Sequence, residues 1–307
     1  MEKYTNINAQ LHYDSSTDKF SKFIIPHPLS ICYKVTRKCN FNCPHCITSS
    51  SMNEWHWLDT EKAFEVIRRI AKSWIRRLDI TWWEPFLRED MDEIIKLASE
   101  LWLEVVVTTN WSKLSTKSLE LLSRLKIFTQ ISIDWPKDLN DALRMKWSYD
   151  IAISAIKKFE QYGIPTRINC VLQKNNIHIF DQMIEIAKEN KVANLYFILV
   201  SAQWRVFEDP NRFCLSEETE KEIKAKILSL RQKDWINVKM LDFKKYTWAC
   251  TLIDSNWDFI SQSHSEDKCI NVWNILENDL NDLWINSWAF DHALHLMQYI
   301  RHPMLYS

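Results

Sequence analysis

The sequence predicts an α/β fold, a partial (β/α)6 barrel with a small α+β C-terminal module. Three observations carry that expectation. Strand-like apolar runs and amphipathic helix-like runs alternate between residues 29 and 200. Each strand there is followed by a helix, and strands joined by helical crossovers pair in parallel. Six such units are too few for a closed eightfold barrel, so the sheet is expected to stay open.

Residues 1–27 are polar and irregular and are expected to form a leader across the domain. Strands follow near 29–36, 77–82, 103–109, 127–134, 164–172 and 194–200, rich in Ile, Val, Phe and Thr. The intervening helices show apolar faces at three- and four-residue spacing. Ala63, Val66, Ile67 and Ile70 make one; Met91, Ile94, Ile95 and Ala98 another; Phe180, Met183, Ile184 and Ala187 a third. Asp59 or Thr60 suits the N-cap of the first helix. After a helix at about 216–232 the rhythm changes to short strands near 236–243 and 258–261 and a helix near 276–286. The expected division is therefore a leader (1–27), a core (28–215) and a C-terminal module (216–307).

The chain has 307 residues with 39 Lys plus Arg against 40 Asp plus Glu, a formal charge of −1. That balance gives no reason to expect a nucleic-acid or anionic-membrane partner. The 46% hydrophobic content excludes a wholly disordered chain. Met1-Glu2-Lys3-Tyr4-Thr5 lacks the apolar core of a signal peptide, and a cytoplasmic location is expected.

There are 16 Trp and 1 Gly, where roughly 21 glycines are usual for this length. Three helix-to-strand junctions share one syntax: Ser73-Trp74-Ile75, Leu101-Trp102-Leu103 and Tyr162-Gly163-Ile164. A residue after a helix commonly turns left-handed, which glycine does without penalty. Trp111 follows Asn110, Trp135 follows Asp134, and Trp257 sits between Asn256 and Asp258, all glycine-turn contexts. Only Trp284, on an apolar helix face, looks native. The other 15 tryptophans are expected to stand where the functional protein has glycine, as when UGA codons read as glycine are translated as tryptophan.

Three of the eight cysteines form Cys39-Asn40-Phe41-Asn42-Cys43-Pro44-His45-Cys46, a C-x3-C-x2-C triplet after the first strand. In a parallel sheet that strand end is where chemistry is housed. Thiolates at this spacing can wrap a soft-metal centre. Three readings stand: an iron–sulfur cubane with one open iron, a zinc site completed by His45 or His56, and inert cysteines.

The triplet resembles the cluster motif of the radical S-adenosylmethionine (radical SAM) superfamily, with His45 at the aromatic-type position beside adenine. Thr81-Trp82-Trp83-Glu84-Pro85 resembles the family's T-G-G-E-P segment, which cups the methionine amino group. Thr108-Thr109-Asn110-Trp111 is similar to its T-N-G strand end, and Ser132-Ile133-Asp134-Trp135 to its S-x-D-G. Arg144 lies in a stretch like L-R-G-x-G. The resemblance implies a TIM-like partial barrel and a [4Fe–4S] cluster on Cys39, Cys43 and Cys46. It further implies an S-adenosylmethionine (SAM) site at His45, Trp82, Trp83, Glu84, Ser132 and Arg144, with Asn169 and Leu199 as weaker contacts. Reductive cleavage of SAM to a 5′-deoxyadenosyl radical would follow. Two indoles at 82–83 would fill space that glycine leaves open.

Cys250 to Ile260 and Asn271 to Trp284 resemble a SPASM/twitch extension. Gln262 stands where a cysteine is usual, and no cysteine follows Cys269, so a second iron–sulfur cluster on Cys250 and Cys269 would be incomplete. The resemblance implies a peptide or small-molecule substrate, such as a cofactor precursor, and an electron donor such as flavodoxin or ferredoxin. The competing class is a non-catalytic iron–sulfur or zinc-binding protein on the same scaffold.

Overall fold

The computed structural model describes residues 13–14, 19–20, 30–46, 49–53, 58–73, 75–81, 83–200, 204–230, 236–241, 250–255, 258–262 and 269–285. A short antiparallel pair, β1 (Tyr13–Asp14) with β2 (Lys19–Phe20), comes first. Then come β3 (Ser30–Tyr33), α1 (Thr60–Lys72), β4 (Arg77–Ile80), α2 (Met91–Glu100), β5 (Glu104–Thr109) and α3 (Thr116–Arg124). β6 (Phe128–Ser132), α4 (Lys137–Leu143), α5 (Ser148–Tyr162), β7 (Thr166–Leu172), α6 (Phe180–Glu189) and β8 (Asn194–Leu199) continue the alternation. α7 (Pro210–Phe213), α8 (Glu217–Leu230), β9 (Asn237–Leu241), β10 (Cys250–Ile253), β11 (Asp258–Gln262), β12 (Cys269–Asn274) and α9 (Leu280–Ile285) follow.

All six expected core strands form. They belong to one ten-stranded sheet in the order β12-β11-β10-β3-β4-β5-β6-β7-β8-β9. From β10 to β9 eight strands run parallel as a curled half-barrel, and β11 and β12 are antiparallel additions. Strands from the region expected as a C-terminal module thus extend both edges of the barrel sheet: β9 on β8, and β10 on β3. The physical reason is that β3 and β8 would otherwise present unpaired backbone donors and acceptors. Residues after β12 also join the core, with Ile275, Leu280 and Leu283 buried and Arg69 donating to the Ile275 carbonyl at 2.9 Å.

Strand alternation sorts the side chains. Leu78, Ile80, Val105, Val107, Ile131, Ile168, Leu195 and Phe197 are buried in the apolar core. They meet the predicted helix faces: Ala63, Val66, Ile67 and Ile70 of α1, Met91, Ile94, Ile95 and Ala98 of α2, and Phe180, Met183, Ile184 and Ala187 of α6. The opposite parity carries polar side chains near the strand ends, where Thr108, Gln130 and Asn169 are hydrogen-bonded across β5, β6 and β7. Asp59 is the cap of α1, accepting from the Lys62 amide at 2.9 Å, while the Thr60 hydroxyl donates to Asp90.

Trp102, Trp111 and Trp147 have positive φ, at 64°, 60° and 71°. Trp102 follows α2 with the Leu103 amide bonded to Ala98 and its own to Ser99, the paired bonds of a Schellman stop. Gly163 ends α5 with the same two bonds and φ 64°. Lys126 and Lys191 occupy equivalent positions at 55° and 54°, so a side chain is accommodated there at a cost. Trp102 is 83% exposed and Trp147 56% exposed, whereas Trp111 is buried, edge-on to Phe159, and its indole donates to the Gln130 carbonyl at 3.1 Å. Trp74 and Trp257 lie outside the described residues, as does the side chain of Trp284.

Candidate metal centre

The loop after β3 carries the cysteine triplet at the C-terminal end of the parallel strands. It is held at both ends: the Cys39 amide donates to the Ser51 carbonyl, and Lys38 bridges Ser51. A turn closes within it, from the Cys46 amide to the Cys43 carbonyl at 3.1 Å. From the far side of the barrel Arg205 donates to the Cys43 carbonyl at 2.6 Å and the Ser50 carbonyl at 2.9 Å.

The three thiols are close enough to disfavour one another's ionisation. Burial pushes Cys39 up to about 12, with lesser contributions from Glu84, Cys43 and Cys46, and the Phe41 amide opposing. Burial likewise pushes Cys43 up to about 11, against the Arg144 charge. The sulfurs also receive polar partners. The Phe41 amide donates to Cys39 Sγ at 3.4 Å, and Ser50 Oγ lies 3.5 Å from Cys46 Sγ. Among the described residues no three His, Cys, Asp or Glu side chains are placed to hold a single metal ion. A cubane spreads its thiolates over separate irons, and three clustered soft donors suit it.

Beside the triplet lies a charged hub. Asp134, fully buried two residues past β6, accepts from Arg144 Nε at 2.8 Å and Nη2 at 2.7 Å, and from His45 Nε2 at 3.1 Å. Its other oxygen accepts from the Val171 amide at 2.8 Å. Burial alone would raise this carboxyl, but Arg144 and then His45 hold it well below the usual carboxylate range. Burial lowers His45 against the opposing pull of Asp134, which its Nε2 faces, and among the described residues the buried Nδ1 has no hydrogen-bond partner.

A second buried carboxylate, Glu84, sits after β4. It accepts from the Phe86 amide at 3.1 Å, the Thr109 hydroxyl at 2.5 Å and the Asn110 amide at 2.7 Å, while its own amide donates to the Lys38 carbonyl. Burial raises it to about 7 against those three bonds.

Of the residues predicted for SAM, His45 and Arg144 meet through Asp134, and Glu84 lies under the cysteine loop. Ser132 and Asn169 are paired in register across β6 and β7. Leu199, at the end of β8, shares strand parity with Leu195 and Phe197 and is buried in the core. Trp83 is buried with Lys34 over its ring at 4.6 Å, and among the described residues neither its indole N–H nor that of Trp135 has a hydrogen-bond partner. Trp82 and His56 lie outside the described residues, as do the side chains of Cys250 and Cys269.

A radical SAM superfamily profile matches residues 33–187. The chain belongs to the radical SAM superfamily. The superfamily's cofactors are a [4Fe–4S] cluster and SAM, and the residues around the triplet fit the cluster. Mycofactocin maturase MftC of Mycolicibacterium smegmatis is 26% identical over 163 residues, 52% of this chain and 42% of the relative. Sporulation killing factor maturation protein SkfB of Bacillus subtilis is 23% identical over 265 residues, 86% of this chain and 59% of the relative. This radical SAM chain therefore spans only part of the length of those relatives. In fold it is similar to Streptococcus suis SuiB bound to SAM, with a TM-score of 0.73 at 19% identity, covering 88% of this chain and 68% of that one.

Sequence reasoning assigned no role to Asp134, Asn40, Asn110 or Arg205. Asp134 and Asn110 were visible as motif members and Asn40 as a residue inside the triplet. Arg205 acts 162 residues from Cys43 and left no local signal.

Proposed function

We propose that this chain is a radical SAM enzyme that reductively cleaves SAM at a [4Fe–4S] cluster on Cys39, Cys43 and Cys46, and modifies a peptide or cofactor precursor. The observation that carries the reading is the triplet's place at the C-terminal end of the half-barrel, tied through His45 to the buried Asp134–Arg144 pair. When bound, the cluster and SAM supply one-electron cleavage of the sulfonium bond and a 5′-deoxyadenosyl radical. The protein's part is positioning and exclusion of water.

In this reading Ser132 and Arg144 hold the SAM ribose and carboxylate, and Asp134 fixes the guanidinium. His45 lies beside adenine, with Asn169 as a further contact. Glu84 acts through backbone, fixing the ends of β4 and β5 along which the Trp82–Trp83 segment would meet the methionine amino group. A peptide target draws support from the names of the maturation proteins above and from SuiB, which is also solved with its precursor peptide SuiA. Residues 216–307 are read as a SPASM/twitch-like module, with Cys250 and Cys269 as candidate ligands of a second cluster. A flavodoxin or ferredoxin would supply the electron, in the cytoplasm.

The functional form of this site has glycine at the fifteen suspect tryptophan positions. Positive φ at 102, 111 and 147 supports that reading, as do the orphaned indole N–H groups at 83 and 135. UGA codons at those positions in the coding sequence are the expected finding, and UGG codons overturn it. A second reading follows from Trp83: with that indole buried past β4, the chain as written holds a cluster without binding SAM.

Release of 5′-deoxyadenosine from anaerobically reconstituted protein tests both. Activity in the glycine-restored chain alone supports the full proposal. Activity in both chains retains the enzyme and removes the glycine argument. A folded, cluster-loaded glycine version that releases none points to the binding protein.

A further inference from the structure

Among the described residues, Asn110 is the side-chain amide whose donor is aimed at a cysteine of the triplet. It follows β5 directly, and its backbone N–H and both side-chain polar atoms have partners. Its backbone amide donates to Glu84 at 2.7 Å, and its side-chain oxygen accepts from the Ser112 amide at 3.0 Å. That second bond sets the amide orientation and turns Nδ2 toward the cysteine loop. An amide nitrogen has two hydrogens to give. One goes to Asn40 Oδ1 at 2.7 Å, and the other reaches Cys39 Sγ at 3.9 Å. Asn40 is itself held, donating to Ser112 Oγ at 2.8 Å.

We infer that Asn110 is a positioning residue that tunes the cluster, its side-chain N–H donating to the Cys39 thiolate and making the cluster easier to reduce. A donor on a ligating sulfur withdraws charge and favours the more negative, reduced state, so hydrogen bonds to sulfur are among the determinants of cluster potential. Cys39 receives two such donors, from the Phe41 amide and from Asn110, and only the second can be removed by a side-chain change. The Glu84 contact then has a purpose beyond stability, because it anchors the Asn110 backbone from which that side chain reaches the cysteine loop.

The inference rests on the cluster reading above and not on SAM cleavage, so it is tested without SAM. The reconstituted protein is titrated with dithionite, and the midpoint of the reduced cluster is followed by electron paramagnetic resonance. Asn110→Ala is expected to shift the midpoint to more negative potential, with a several-fold smaller reduced fraction at fixed poise. Asn110→Asp, which replaces the donor by a negative oxygen, should shift it further. A loaded N110A with the parent's midpoint overturns the inference alone. A parent chain that takes up no cluster overturns the cluster reading and the inference together. Should N110A fail to load, Asn110→Ser, whose hydroxyl is too short to reach Cys39, is titrated instead, and an unshifted midpoint there also overturns the inference.

Discussion

Trp102→Gly and Trp102→Ala remove the same indole, yet only glycine relieves the left-handed backbone. Trp102 has φ 64° and is 83% exposed. An aromatic side chain of roughly 250 Å² leaves about 40 Å² covered at that exposure, so either truncation forfeits about 1 kcal/mol at 25 cal/mol/Å². Left-handed backbone costs a side-chain-bearing residue roughly 1–2 kcal/mol, and glycine's greater freedom in the unfolded chain returns about 0.4–1 of that. W102G should therefore match the parent to within about 1 kcal/mol and exceed W102A by about 1 kcal/mol, a shift of about 2 °C in Tm for a chain of this size. Gly163 provides the reverse experiment: it has φ 64° and no atom within 4 Å of an added Cβ, so Gly163→Ala isolates the strain and should lose about 1 kcal/mol. Urea denaturation under reductant measures all three. Equal stability of W102A and W102G, together with an unchanged G163A, would refute the claim that these stops store strain. At Trp111 the sign should reverse, because truncating this buried indole, with its hydrogen bond and edge contact, costs about 3–5 kcal/mol, more than the strain at φ 60°.

Asp134→Asn should destabilise the chain by about 3–5 kcal/mol by leaving the buried Arg144 charge uncompensated, read by chemical denaturation. Because the folded Asp134 carboxyl is held below its unfolded value, its contribution is present above about pH 3.9 and lost as pH falls below that; D134N should flatten this acid limb. Glu84 has the opposite sign: its carboxyl is raised to about 7, so its contribution is fullest below about pH 4.3 and is lost as pH climbs through 7. Glu84→Gln should remove that slope and cost about 1–3 kcal/mol by turning an amide N–H toward one of three donors. Arg205→Ala should release the Cys43 and Ser50 carbonyls and speed iron loss to a chelator without changing the parent's secondary structure by circular dichroism. Unchanged chelation kinetics would show that the cysteine loop holds itself.

The sequence by itself determined the barrel and the triplet, because both rest on local pattern. Alternation of apolar runs located the six core strands, and three-and-four spacing identified the buried faces of α1, α2 and α6. The cysteines carry their meaning in a spacing of eight residues, and the glycine deficit is legible as composition and turn context. Tertiary structure alone decided which residues serve the site. β9 and β10 join opposite edges of the sheet, a choice made by unpaired backbone groups on β8 and β3 that no local pattern in residues 236–253 encodes. The Asp134 hub brings together residues from three separate segments, and Arg205 reaches the cysteine loop from beyond β8. A carboxylate in a sequence looks the same whether solvated or buried between an arginine and a histidine; only the packed barrel removes the water that makes the two differ.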